Sequence, residues 1–162
     1  MGLYVIEIEN IGGIELEKVI SLESSQEHYD AEACIFWCFD DRFWRLKKRF
    51  IELLGFKHFD CVSWGGSSKD LIASEENLAD QKSIISQARK SIVLHHAPLA
   101  IPVHHIDCGA YGGSETLGSR EAQYRYQAAE LAKSEALLKG QFPGLSVWKY
   151  IADFDGLRRV CQ

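Results

Sequence analysis

The chain has 162 residues, 46% hydrophobic and 25% charged, a balance that fits one compact globular domain able to bury a real core. Its formal net charge of −5 offers no general attraction to nucleic acid, and no apolar stretch reaches the roughly 18 residues that would read as a membrane span. The start lacks a charged segment leading into an apolar run and a small-residue cleavage site, so the expectation is a cytoplasmic protein whose five cysteines stay reduced.

From Leu3 to Ile20, Val, Ile and Glu alternate on both sides of Gly12-Gly13, which predicts two strands joined by a tight turn. The continuously apolar run from Ala33 to Cys38 reads as a strand buried on both faces. Arg42 to Leu54 has helical periodicity and ends at Gly55; Phe43, Leu46 and Phe50 recur between Arg42, Arg45, Lys47, Lys48 and Arg49, so the basic run is the solvated face of a helix. Phe59 to Trp64 is a second strand, running into Gly65-Gly66, and a helix fills much of Glu75 to His95 before Pro98. Leu99 to His104 is the next strand, and Pro102 within it argues for a bulge or an edge. Ser119 caps a helix reaching about Lys139, with Glu121 and Glu130 among its polar positions. Leu145 to Ile151 is a last strand, followed by a turn at Asp153 to Gly156. This alternation predicts an α/β fold over residues 1–162: a mostly parallel central sheet of about four to five strands flanked by helices, with an N-terminal β-hairpin extension.

In such sheets ligand sites gather beyond the carboxyl ends of the strands. One predicted strand runs into Cys38-Phe39-Asp40-Asp41-Arg42 and another into His105-Ile106-Asp107-Cys108-Gly109. Two thiolates and one imidazole, with a fourth position open, are the donor set of a catalytic zinc site, and soft sulfur donors disfavour magnesium and calcium. These segments resemble the signatures of the β-carbonic anhydrase family, Cys-x-Asp-x-Arg followed later by His-x-x-Cys-Gly. Trp64-Gly65-Gly66 and the ending from Trp148 to Leu157 are similar to the family as well, so the resemblance extends from about Ala33 to Val160, while the N-terminal hairpin departs from it.

The resemblance implies one zinc ion per chain held by Cys38, His105 and Cys108, with Asp40 and Arg42 as a carboxylate–guanidinium pair beside it. Zinc lowers the pKa of bound water to about 7, an ionised Asp40 can orient that water, and Arg42 can keep the carboxylate charged. In the family the same aspartate can instead turn onto the metal and switch the site off. The implied reaction is reversible hydration of carbon dioxide to bicarbonate, in a homodimer or larger even assembly, with neither nucleic acid nor membrane as partner. Two other readings stand beside it: hydrolysis of carbon disulfide or carbonyl sulfide, and a non-catalytic zinc- or anion-binding module. The second is motivated by the absence of the family's N-terminal helices and of the glutamine they contribute to the pocket.

The remaining candidates have plainer readings. Cys34 and Cys61 are read as small core residues and Cys161 as an idle terminal thiol. His95-His96 sits where a helix end favours positive charge. His104 precedes a proposed ligand on a strand, so it points the opposite way from His105 and is read as a hydrogen-bonded structural histidine. Gly109, Gly112 and Gly113 either present backbone N–H groups to an anion or metal-bound sulfur, or form a flexible turn. Phe43, Trp44, Trp64 and Tyr111 are core aromatics or the wall of an apolar pocket.

Overall fold

The computed structural model describes residues 7–72, 74 and 76–161, so the part of the predicted hairpin before Glu7 lies outside the described residues. β1 (Glu7–Ile11) and β2 (Ile14–Lys18) pair antiparallel, with Ile11 opposite Ile14. Gly12 and Gly13 both take positive φ, 60° and 86°, as the tight two-residue turn requires. Every residue from Asn10 to Asp30 is exposed, so this hairpin stands clear of the core.

β3 (Cys34–Trp37), β4 (Asp60–Ser63), β5 (Leu99–His105), β6 (Ser146–Val147) and β7 (Tyr150–Asp153) run parallel in a six-stranded sheet that β8 (Gly156–Arg159) completes antiparallel. The order is β4-β3-β5-β7-β8, with β6 beside the start of β5. The alternation of side chains along β3 divides the core. Cys34 and Phe36 join a layer with Ile84, Ala88 and Leu138, from α2 (Leu78–Arg89) and α4 (Arg120–Gln141). Ile35 and Trp37 join Phe50, from α1 (Trp44–Leu54), on the other face. Burial of residues such as Ile35 and Phe36 stabilises the fold by about 1.5–3 kcal/mol each. A helix-covered parallel sheet and a separate antiparallel hairpin are the architecture read from the sequence.

The ends of several elements differ from that reading. α1 starts at Trp44, after a single 3-10 turn over Asp41–Phe43, and stops at Gly55, whose φ of 65° ends the helix. The helix predicted within Glu75 to His95 begins at Leu78, and its last turn, Lys90–Leu94, widens to π geometry. Ser119 caps α4 as read, its hydroxyl accepting from the Ala122 N–H at 3.2 Å. The single last strand is two: β6 stops at Val147 and β7 starts at Tyr150. β8 was not foreseen, because Gly-Leu-Arg-Arg has no apolar run; as an edge strand it has no second neighbour to bury it.

Pro102 is not at an edge. β5 is an interior strand, and Pro102 is paired in register with Phe36 of β3. Its tolerance comes from the other side. Even-numbered β5 residues direct their backbone groups toward β6 and β7: the Ala100 carbonyl accepts from Trp148 N and Ile106 N donates to the Ala152 carbonyl, both at 3.0 Å. The missing N–H of Pro102 therefore faces the interruption between β6 and β7, where no ladder bond is available to lose. Cys61 is likewise a correction. It is exposed on edge strand β4 rather than in the core, whereas Cys34 is fully buried.

Candidate metal centre

The two motifs meet because β3 and β5 are adjacent and parallel, so their carboxyl ends lie side by side. Cys38 is the first residue beyond β3 and His105 the last of β5. Between His105 and Cys108 the chain reverses through Asp107, which takes a left-handed φ of 53°. The turn is then closed by the Cys108 carbonyl, which accepts from Tyr111 N at 3.0 Å and Gly113 N at 2.9 Å. Cys38, His105 and Cys108 are all buried, and their ligand atoms lie within 4.8 Å of one another.

The histidine shows how this cluster suits a metal. His105 Nδ1 lies 2.7 Å from the Ile106 carbonyl; a carbonyl only accepts, so Nδ1 carries the proton and Nε2 presents a lone pair. That buried Nε2 has no hydrogen-bond partner in the protein. An orphaned acceptor beside two sulfurs costs stability unless something electrophilic takes its place. A metal ion does so, and among the described residues this is the one such cluster of metal-ligating side chains.

One sulfur of the pair is prepared for the anionic form. Contact with Cys108 drives the Cys38 thiol well below the usual range, and the N–H groups of Asp40 and Gly66 add to this against the effect of burial. Cys108 moves upward, because Cys38 beside it leaves the pair sharing one proton and because it is buried. Gly66 N donates to Cys38 Sγ at 3.4 Å. Only glycine fits there: φ is +77°, and a Cβ would stand 3.0 Å from both Ala110 Cβ and Lys69 Cβ. Backbone groups of Ala110 and Tyr111 favour the Cys108 anion, so it is these, with Gly66, that serve the sulfurs. Gly112 and Gly113 instead donate within their own turn, to Gly109 and Cys108 carbonyls.

Asp40 and Arg42 form a closed pair at the rim. Arg42 Nε donates to both Asp40 oxygens at 3.0 Å and Nη2 donates to Oδ2 at 2.6 Å, while the Arg42 backbone N–H donates to Oδ1 at 3.0 Å. The guanidinium holds the Asp40 carboxyl below its ordinary range, so it is ionised at neutral pH. Its Oδ2 lies 3.9 Å from His105 Nε2. Sequence reasoning missed Asp107, although it stands inside the second motif. Asp107 Oδ2 accepts from Arg42 Nη1 at 2.8 Å and its carbonyl from Nη2 at 2.9 Å. Arg42 and the Ser114 amide hold this carboxyl down to about 2. An aspartate in a tight turn between His105 and Cys108 was the available signal.

The neighbours sort themselves by face. His104 points away from the cluster, with Nδ1 2.7 Å from Gln127 Oε1 and Nε2 2.7 Å from Ser68 Oγ, and burial pulls its pKa to about 4, so it is neutral. Phe43 packs on the His105 ring with centroids 4.6 Å apart, and Tyr111 packs on His104. Trp44 is exposed, and Trp64 donates its indole N–H to Asp70 at 2.7 Å. His95 and His96 have carboxylate partners, Asp60 and Asp30, each at 2.9 Å, beyond the helix-end effect.

Solved structures that share this arrangement of elements include β-carbonic anhydrases. Isoform I from Trichomonas vaginalis superposes with a TM-score of 0.58 at 12% identity, covering 88% of each chain. The fold is that of the β-carbonic anhydrases. A tetrameric β-carbonic anhydrase from Sordaria macrospora gives a TM-score of 0.55 at 12% identity, over 83% of this chain and 82% of that one. No family model matches the sequence. Among curated proteins, an uncharacterized protein of Rickettsia conorii is 29% identical over 154 residues, covering 87% of this chain and 80% of its own. One from Rickettsia bellii is 28% identical over 149 residues, covering 87% and 90%. No helix among the described residues is long and apolar enough to cross a membrane.

Proposed function

We propose that this chain is a zinc-dependent carbonic anhydrase that interconverts carbon dioxide and bicarbonate. The observation that carries the reading is the buried Cys38, His105 and Cys108 cluster with an orphaned imidazole Nε2, set beside an Asp40 carboxylate that Arg42 holds ionised. Two thiolates and one imidazole are a zinc donor set that leaves the fourth position for chemistry. Bound zinc supplies a nucleophile at neutral pH by acidifying a water. The chain's own part is positional. Asp40 is an acceptor only and would take a hydrogen bond from a nucleophile presented there and orient it, while Arg42 stops that carboxylate from turning. Gly66 N–H and the backbone around Ala110 steady the sulfurs, and Phe43 against His105 keeps the ring in one orientation.

Stopped-flow hydration of carbon dioxide, on protein whose zinc content has been measured, tests the reading. Turnover above the buffer rate from pH 7 to 9, in proportion to zinc, is the expected result. Stoichiometric zinc with no turnover leaves a binding module instead. The proposal includes a homo-oligomer, supported by exposed Ile8, Ile11, Ile14 and Leu16 on a hairpin that an isolated chain stabilises poorly. Sedimentation as a monomer at micromolar concentration contradicts that part.

A further inference from the structure

Arg42 is held from two sides, and the second holder is the residue that shapes the metal-binding turn. Its side chain is 46% exposed, and a lone surface ion pair of that kind is too weak to keep one geometry. The fork is instead shared: one edge grips Asp40 while Nη1 and Nη2 reach the carboxylate and carbonyl of Asp107. Asp107 is itself immobilised. Its backbone N–H donates to Gln123 Oε1 at 2.6 Å, and buried Gln123 is anchored by its Nε2 bond to the Gly118 carbonyl at 2.9 Å. Its Oδ1 accepts from Ser114 N at 2.9 Å and Ser114 Oγ at 2.8 Å.

We propose that Asp107 is a positioning residue that locks Arg42 onto Asp40 and so keeps the Asp40 carboxylate out of the Cys38–His105–Cys108 cluster. Asp40 Oδ2, at 3.9 Å from His105 Nε2, is close enough to become a fourth donor once released. Arg42 freed on one side has solvent to swing into, and the carboxylate is then free to turn toward the cluster 3.9 Å away. The consequence for turnover rests on the zinc reading above; the clamp itself does not.

The test uses Asp107→Asn. An amide has one acceptor atom, which Ser114 and Arg42 must then compete for, and its NH2 opposes the guanidinium. In the metal-free, reduced protein, losing the charge-assisted Nη1 bond to Asp107 is expected to loosen the Arg42 Nε bond to Asp40, so that hydrogen exchange at Nε, followed by NMR, speeds up about tenfold. Ser114→Ala keeps Oδ2 on Arg42 and is expected to exchange like the wild type. In the zinc-loaded protein, a crystal structure of Asp107→Asn is expected to show an Asp40 oxygen taking the fourth position on zinc, and hydration is expected to fall about tenfold. In an Arg42→Ala background the same change is expected to cost less than about threefold, because the two residues act as one unit. Unchanged Arg42 exchange in Asp107→Asn, equal acceleration in Ser114→Ala, or losses that multiply in the double variant would each overturn the proposal. A wild type that never hydrates carbon dioxide sinks the functional reading, while the exchange measurement still decides the clamp.

Discussion

Cys38→Ser is expected to lose most of its bound zinc, and with it any hydration activity. The hydroxyl that replaces the thiol has an ordinary pKa far above neutral and stays protonated, whereas the Cys38 sulfur is driven toward the anion by Cys108 and by two backbone N–H groups. Sulfur is also the softer donor for zinc. Loss of a supporting group around a metal typically weakens binding about 10–100-fold, and loss of a donor is expected to exceed that. Cys61→Ser is the matched control, because Cys61 is exposed on β4 and its thiol meets none of these groups. Metal analysis after gel filtration against a weak chelator measures both variants. Stoichiometric zinc in Cys38→Ser, or an equal loss in Cys61→Ser, contradicts the assignment.

Asp40→Asn is expected to keep zinc but hydrate carbon dioxide about 10²- to 10³-fold more slowly, the usual cost of losing one positioned group at a reacting centre. The side chains have nearly the same shape, so the backbone bond from Arg42 N to Oδ1 can survive. What changes is the second atom. In the native chain both oxygens accept from Arg42, which holds the carboxyl below its ordinary range and leaves it an acceptor at neutral pH. An amide nitrogen there is a donor aimed at a guanidinium that also donates, so the pair opens. Zinc content and hydration rate measured on the same sample separate the two effects. If the variant matches an active wild type, the role given to Asp40 is wrong and the metal site is untouched by that result.

What could be read from the sequence follows from which physical constraints are local. The buried strand at Cys34–Trp37 announces itself because both faces are covered, so every residue is apolar. The helix end at Gly55 and the cap at Ser119 are one-residue signals. That Cys38, His105 and Cys108 come together was legible because both motifs stand at the carboxyl ends of predicted parallel strands. Pro102 was misplaced because its tolerance depends on a gap in a neighbour some 45 residues later, between Val147 and Tyr150. Cys61 was misplaced because the short segment from Phe59 to Trp64 does not say whether its strand is interior or edge. The second partner of Arg42 was missed because a short motif names its residues without their directions. Asp107 reaches Arg42 only through its left-handed backbone turn, and that turn is steadied by Gln123 from a helix further along the chain.

X-ray absorption at the zinc edge of the purified wild-type protein tests the central claim most directly. The account predicts one zinc per chain with two sulfur neighbours at about 2.3 Å, one imidazole nitrogen at about 2.0–2.1 Å and a single further light donor. A protein that binds no zinc, or one whose metal has only oxygen and nitrogen neighbours, would contradict it.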